Sequence, residues 1–235
     1  MELTAALTEA AVEEAMPGRP VRWYPALLST EADALAWARA GGPSGAVVTA
    51  NYQASPRGRA GLEWRIPGTG TAFSLVVRPQ LRAEREGWLY SVAVMGVLDA
   101  VGGSGLRWPD QVLDRGARAA AIGVHAELGP QGVDWAVIKA LIEEAGPAPA
   151  ATIATVVEAI EARLQSDPQD VLADYLEHCE TIGSQVRARM IPLGPGGVEI
   201  SGRAAGSVLD GALIIVTDAD RRIAVRPQHL GILEV

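Results

Sequence analysis

Leu3, Leu7, Ala11 and Ala15 recur every four residues, and the spacing predicts a helix over residues 3–15 that Met16-Pro17-Gly18-Arg19-Pro20 stops. Val21-Arg22-Trp23-Tyr24 reads as a short strand. Ser29-Thr30 opens a second helix, with Asp33 as its first-turn acid, which runs to Ala40 and ends at Gly41-Gly42-Pro43. Residues 45–50 read as a buried strand, and residues 71–78 as the next strand, closed by Pro79. Residues 87–102 make an apolar helix. A hairpin follows, with one arm from Ala119 to Glu127, a turn at Gly129-Pro130-Gln131-Gly132 and a return arm from Val133. Two helices are expected over roughly 151–165 and 168–177. From Gln185 the texture changes to short alternating strands, with turns at Gly194-Pro195-Gly196-Gly197, Asp210-Gly211 and Asp218-Ala219-Asp220. The pattern predicts an α/β (α+β) domain with a mixed sheet and packed helices on one side of it, over residues 1–182. A small all-β barrel follows over 183–235.

Composition bounds what such a chain does. Its 235 residues, 49% hydrophobic, supply one sizeable core and a satellite domain. A net charge of -8 repels phosphate backbones and argues against a nucleic-acid partner. Cys179 is the single cysteine, so no disulfide forms within the chain, and a reducing, cytoplasmic setting is expected. The start is acidic (Glu2, Glu9, Glu13, Glu14) and reads as lacking a signal peptide. Apolar runs are broken within ten residues or so by Gly, Asp or Arg, so no membrane span is expected. Lys139 is the only lysine.

Four stretches carry chemistry when taken in order. They are Ser29-Thr30-Glu31-Ala32 at a helix start and the arginine–glycine loop Gln53-Ala54-Ser55-Pro56-Arg57-Gly58-Arg59-Ala60-Gly61-Leu62-Glu63-Trp64. Arg107-Trp108-Pro109-Asp110-Gln111-Val112 comes next, and last a tail with Tyr175 to Gly183, Gly202-Arg203-Ala204 and Asp210-Gly211-Ala212-Leu213. In this order they resemble the biotin–protein ligases, in the short form without a DNA-binding domain, whose C-terminal domain is SH3-like. The resemblance implies no repressor function. It implies a two-step reaction in which biotin and ATP, with Mg²⁺, give biotinyl-AMP, which then acylates a lysine of a carrier-protein domain. It further implies that Gln53 and Arg57 meet the acid, that Arg59 and Trp64 lie by the adenylate, and that Ser29, Thr30, Gly58, Trp108 and Asp110 belong to the ligand and nucleotide site. Guanidinium forks and loop N–H groups suit a phosphate, and a closing loop keeps water from a hydrolysable intermediate. Edge pairing in some relatives makes a homodimer an expectation by analogy.

The chain also departs from the family pattern. Glu31 replaces an asparagine, Pro56 the first loop glycine, and Leu62 the last loop arginine. Asp110-Gln111 stands for Asn-Asp. In the pattern K-x-x-G-I-L-x-E the lysine position falls on Ala120 if Gly123 and Glu127 are the anchors, or on Arg118 if the spacing from Trp108 is kept. The return arm lacks a G-x-G-x-N strand, so its side chains fill the space a ureido ring needs. Pairing Leu128 with Val133 sets Ile122 opposite Lys139, one diagonal step from Ala120. Two placements of Lys139 follow: an ammonium that has moved into the site, with Arg118 as the other candidate catalytic cation, or an outward amine paired with Glu143. His125 is expected to be buried and hydrogen-bonded, and Cys179 to pack as a small hydrophobe. His178 and His229 lack metal-ligand spacing. Three functions fit this picture: an active biotin ligase, a substrate-switched or catalytically silent relative acting as a binding or regulatory protein, and a lipoate- or octanoyl-type ligase.

Overall fold

The computed structural model describes residues 7–194 and 196–235. Leu3, part of the first predicted helix, lies outside them. Strands β1 (Val21–Tyr24), β2 (Val47–Ala50), β3 (Thr71–Val77), β4 (Gly105–Arg107), β5 (Gln111–Asp114), β6 (Ala117–Gly129) and β7 (Gly132–Ile142) make one mixed sheet in the order β1-β2-β3-β7-β6-β5-β4. Only β1 and β2 run parallel.

Helices α1 (Glu9–Ala15), α2 (Thr30–Arg39), α3 (Trp88–Val101), α4 (Pro149–Gln165) and α5 (Pro168–His178) flank it. The main core fills one sheet face. Phe73, Leu75, Ile122, Ile138, Ala140 and Ile142 meet Leu89, Val92 and Met95 of α3 there, with Val156 and Ile160 of α4 behind. Helix α3 is buried from Trp88 through Leu98, since it has the sheet on one side and α4 on the other. Gly96 permits that crossing, because a β-carbon there would lie 2.6 Å from the Ile160 Cα.

The second sheet face is covered differently. Helix α2 alone packs on it, with Ala34 and Ala38 against Val48, Val76, Trp135 and Val137. Trp64 and Ile66 of the arginine–glycine segment pack on Ala72, Ala121 and Leu141. Helices thus lie on both faces rather than on one side. The alternation along β7 explains why: Trp135, Val137 and Leu141 are apolar on the outer face just as Ala136, Ile138 and Ala140 are on the inner. Between the two apolar patches of the second face runs a polar band, and the site lies in it.

Strands β8 (Gln185–Met190), β9 (Glu199–Ser207), β10 (Leu213–Val216), β11 (Arg222–Val225) and β12 (Leu230–Glu234) form a second, wholly antiparallel sheet in the order β11-β10-β9-β8-β12, which fits the SH3-like expectation. It is sealed onto the first sheet by Trp108, whose indole N–H donates to the Gly211 carbonyl at 2.9 Å. Gly211 has φ +78 and lies so close to Gly87 that a β-carbon would sit 2.2 Å from the Gly87 oxygen, so only glycine fits.

The hairpin register corrects one expectation. Leu128 does pair with Val133, but a bulge between Glu127 and Leu128 shifts the rest by one residue. Lys139 therefore faces Gly123, not Ile122. A one-residue slip moves a side chain to the other sheet face. Ala120 accordingly sits in the main core while Lys139 points to the second face, and the two are not neighbours.

Candidate functional site

The N-terminus of α2 begins the site. Ser29 is extended and caps the helix, its hydroxyl accepting from the Ala32 N–H at 3.3 Å. This turns Thr30 and Glu31 inward over β3 and β7. Asp33, the expected first-turn acid, turns instead to Arg22 at 3.2 Å and to the Tyr24 hydroxyl at 3.3 Å. Gln53, just beyond the end of β2, accepts twice at Oε1: from the Thr30 N–H at 2.9 Å and the Thr30 hydroxyl at 3.2 Å. The Ser74 hydroxyl donates to Thr30 Oγ1 at 2.9 Å. Because a backbone N–H can only donate, Gln53 Oε1 must be the acceptor, and this fixes the amide nitrogen on the other side. That nitrogen, Nε2, is buried and has no partner.

Ser74 is the cross-strand partner of Lys139. The Lys139 ammonium lies 2.6 Å from Glu31 Oε2 and 5.9 Å from the centre of the Trp64 ring. The residue is 5% exposed. Burial pushes its pKa down and Glu31 pulls it back up, with burial the larger effect. The expected alternative of an outward amine paired with Glu143 is not seen. Glu143 pairs with Arg118, whose Nε donates to it at 2.7 Å on a part-exposed margin of the sheet. Glycine at residue 123 leaves room for the lysine in this position: a β-carbon there would lie 2.3 Å from Lys139 Cε, so the side chain would have to shift.

The arginine–glycine loop is closed on itself. The Gly58 N–H donates to the Leu62 carbonyl at 2.7 Å, and the Trp64 N–H to the Pro56 carbonyl at 3.1 Å. Gly58 lies under the Trp64 indole, where a β-carbon would be 2.2 Å from Nε1. Arg57 is exposed and bonds within the loop, to Ser55 Oγ at 3.2 Å and the Gly61 carbonyl at 3.4 Å. Arg59 is 8% exposed. Its Nε donates to Asp110 Oδ2 at 2.8 Å, and its Nη1 donates to the carbonyls of Leu230 and, at 3.1 Å, Gly231. Burial pushes the Asp110 carboxyl up, while the charges of Arg59 and Arg118 draw it back. Through these three bonds Arg59 and Asp110 act as a tether between loop, first sheet and β12.

The structure therefore gathers Thr30, Gln53, Gly58, Trp64 and Lys139 in one cluster. It places Arg59 and Asp110 at the loop's anchor, Arg118 at the sheet margin, and Trp108 in the seam with the second sheet. Glu31, Ser74 and Gly123 join the cluster without having been marked as site residues. The signals were present, since Glu31 stands at a helix start and Lys139 is a lone cation in an apolar strand. His125 is half-exposed rather than buried and bonded. It stacks on Trp135 with ring centres 5.9 Å apart, and its Nε2 has no hydrogen-bond partner. Cys179 packs in the core beside the Tyr175 hydroxyl at 3.8 Å. Among the described residues, no group of three or more His, Cys, Asp or Glu converges to hold a metal. No helix there is long and apolar enough to cross a membrane.

A mixed sheet with a capped helix and an arginine–glycine loop over one face, followed by an SH3-like sheet, defines the biotin-ligase fold. A biotin–[acetyl-CoA-carboxylase] ligase of Mycobacterium tuberculosis is 31% identical over 205 residues, covering 75% of this chain and 75% of that one. The chain belongs to the biotin protein ligase family. No family model matches it. Among solved structures, the biotin protein ligase of Aquifex aeolicus in complex with biotin and ATP is similar in fold, with TM-score 0.67 at 18% identity over 92% of this chain and 98% of that one. A biotin protein ligase-like protein of unknown function from Silicibacter sp. TM1040 gives TM-score 0.68 at 13% identity, over 90% and 96%.

Proposed function

We propose that this chain is a biotin-ligase-like protein whose acid-binding face has been re-specialised away from biotin. The observation that carries the reading is the buried Lys139–Glu31 ion pair, 2.6 Å apart, on the face where the family pattern keeps glycines and an asparagine. A neutral ureido ring placed there would have to strip the ammonium of its partner, and an uncompensated buried charge costs about 3–5 kcal/mol. Leu141 and Trp64 close the adjoining surface, so the residues present do not fit biotin. ATP is the nucleotide the family would bring. Here the Arg59 guanidinium suited to a phosphate is held by Asp110 and two carbonyls, which leaves Arg57 as the exposed loop cation. The acceptor in this reading is a carrier-type protein domain, in keeping with the carboxylase in the relative's name.

The test is direct. The protein is titrated with biotin by calorimetry, then incubated with ATP, Mg²⁺ and biotin and assayed for biotinyl-AMP by mass spectrometry. No heat and no adduct are expected. Biotinyl-AMP above the enzyme-free control overturns the proposal in favour of an active biotin ligase with a rearranged site.

A further inference from the structure

Lys139 is held by a partner that can be exchanged. Its side chain is 7% exposed, whereas that of Glu31 is 20% exposed and stands on the first turn of α2, open to solvent on one side. Rotating Glu31 outward returns its carboxylate to water. The ammonium has no such exit: its side chain is enclosed, its stem lies against Gly123, and its Nζ is 5.9 Å from the Trp64 ring centre. Whatever displaces Glu31 must therefore bring a negative charge of its own.

A second demand lies in the same cluster. Gln53 Nε2 is a buried donor without an acceptor, and its orientation is fixed by the two bonds that Thr30 makes to Oε1. Buried donors are nearly always paired, so an orphan one marks a place for an acceptor. Thr30 connects the two demands: it adjoins Glu31 in the chain, bonds to Gln53, and accepts from Ser74, which faces Lys139 across the strands. In this description Glu31 is an internal carboxylate standing where a ligand's carboxylate belongs.

We infer that the site takes a small organic acid with two oxygen-bearing ends, a short dicarboxylate or an acid with a distal carbonyl. One carboxylate replaces Glu31 on the Lys139 ammonium, and the second acceptor meets Gln53 Nε2. The inference rests on the reading that this face does not accept biotin, and supplies the ligand class that reading leaves open.

The experiment titrates glutarate, adipate, their neutral diamides and biotin into the wild-type protein and the variants Glu31→Ala, Glu31→Gln and Lys139→Met. Circular dichroism of each variant checks its fold. The dicarboxylates are expected to bind, and the diamides not to. Removing the internal competitor in Glu31→Ala should tighten the acids roughly tenfold, as for any site freed from an occluded state. Glu31→Gln, which keeps the volume, should tighten them in the same direction. Lys139→Met should abolish binding while remaining folded. If neither acid binds wild type or either Glu31 variant, and biotin also fails, the inference falls and the reading beneath it stands. Acid binding that survives in folded Lys139→Met likewise overturns the inference. Binding of biotin brings down the underlying reading itself.

Discussion

Gly123 and Lys139 face each other across β6 and β7, and the lysine stem occupies the space that a β-carbon on residue 123 would take. Gly123→Ala should therefore push the ammonium off Glu31 and destabilise the protein by about 1–3 kcal/mol, the usual cost of overpacking. In a Lys139→Ala background the same change should cost much less. Urea unfolding of the two single variants and the double variant measures the coupling, which should exceed about 0.5 kcal/mol for residues in contact. Additive costs would show that the close approach has no energetic weight.

Lys139 also sets a pH dependence. Its folded pKa is lowered by burial from an ordinary 10.5. In the window between the lowered value and 10.5 the unfolded chain binds a proton that the folded one does not, so stability gained from this group rises with pH there. The contribution is complete above 10.5 and is lost as pH falls through the folded value. Wild type should thus gain on Lys139→Met between neutral pH and pH 10.5 in denaturant melts. A constant difference would mean that the amine titrates as in water.

Arg59 and Asp110 form a second buried pair, and here both partners are enclosed. Asp110→Ala leaves the guanidinium uncompensated and should cost about 3–5 kcal/mol, read as a fall in the urea midpoint. Limited proteolysis should then cut within residues 55–64 faster than in wild type. A variant with an unchanged midpoint would show that the pair is not closed in solution.

Trp108→Phe keeps most of the ring but removes the bond to the Gly211 carbonyl. A buried acceptor left bare costs about 1–3 kcal/mol. The change should lower the unfolding midpoint and speed hydrogen exchange at Ala212, which begins the approach to β10.

The converse of the proposed function is an engineered return. Glu31→Asn, Lys139→Gly and Leu141→Gly together bring back the helix-start asparagine and two glycines of a G-x-G strand on this face, and leave Glu143 in its pair with Arg118. The triple variant should acquire a biotin-dependent thermal shift absent from wild type. If it folds and still ignores biotin, the exclusion lies elsewhere, for instance in Pro56 or Leu62 of the loop.

Much of the frame was legible in the chain. Strand and helix periods, the Ser29 cap and the hairpin turn all appear within a few residues of where the pattern sets them, because each depends on neighbours in sequence. The four motifs in order marked the family and the SH3-like sheet. The site was harder. A one-residue bulge in β7, where Asp134 has no partner between Val133 and Trp135, decides which β6 residue faces Lys139, and nothing local in Val133-Asp134-Trp135 announces it. Arg59 and Asp110 are 51 residues apart, and Arg59 and Leu230 are 171 apart, so their union is set by packing alone. Glu31 was readable as a departure from a pattern, but its role needed the position of a residue on another strand.

The grip of the Leu230 and Gly231 carbonyls on Arg59 gives the end of the chain a role in the loop. The arginine–glycine loop has one fixed point at Arg59, and that point is backbone of β12. Removing β12 would free the loop without touching it. The small C-terminal sheet is thus the doorframe on which the loop hangs, and damage far along the chain should be felt first at the entrance to the site.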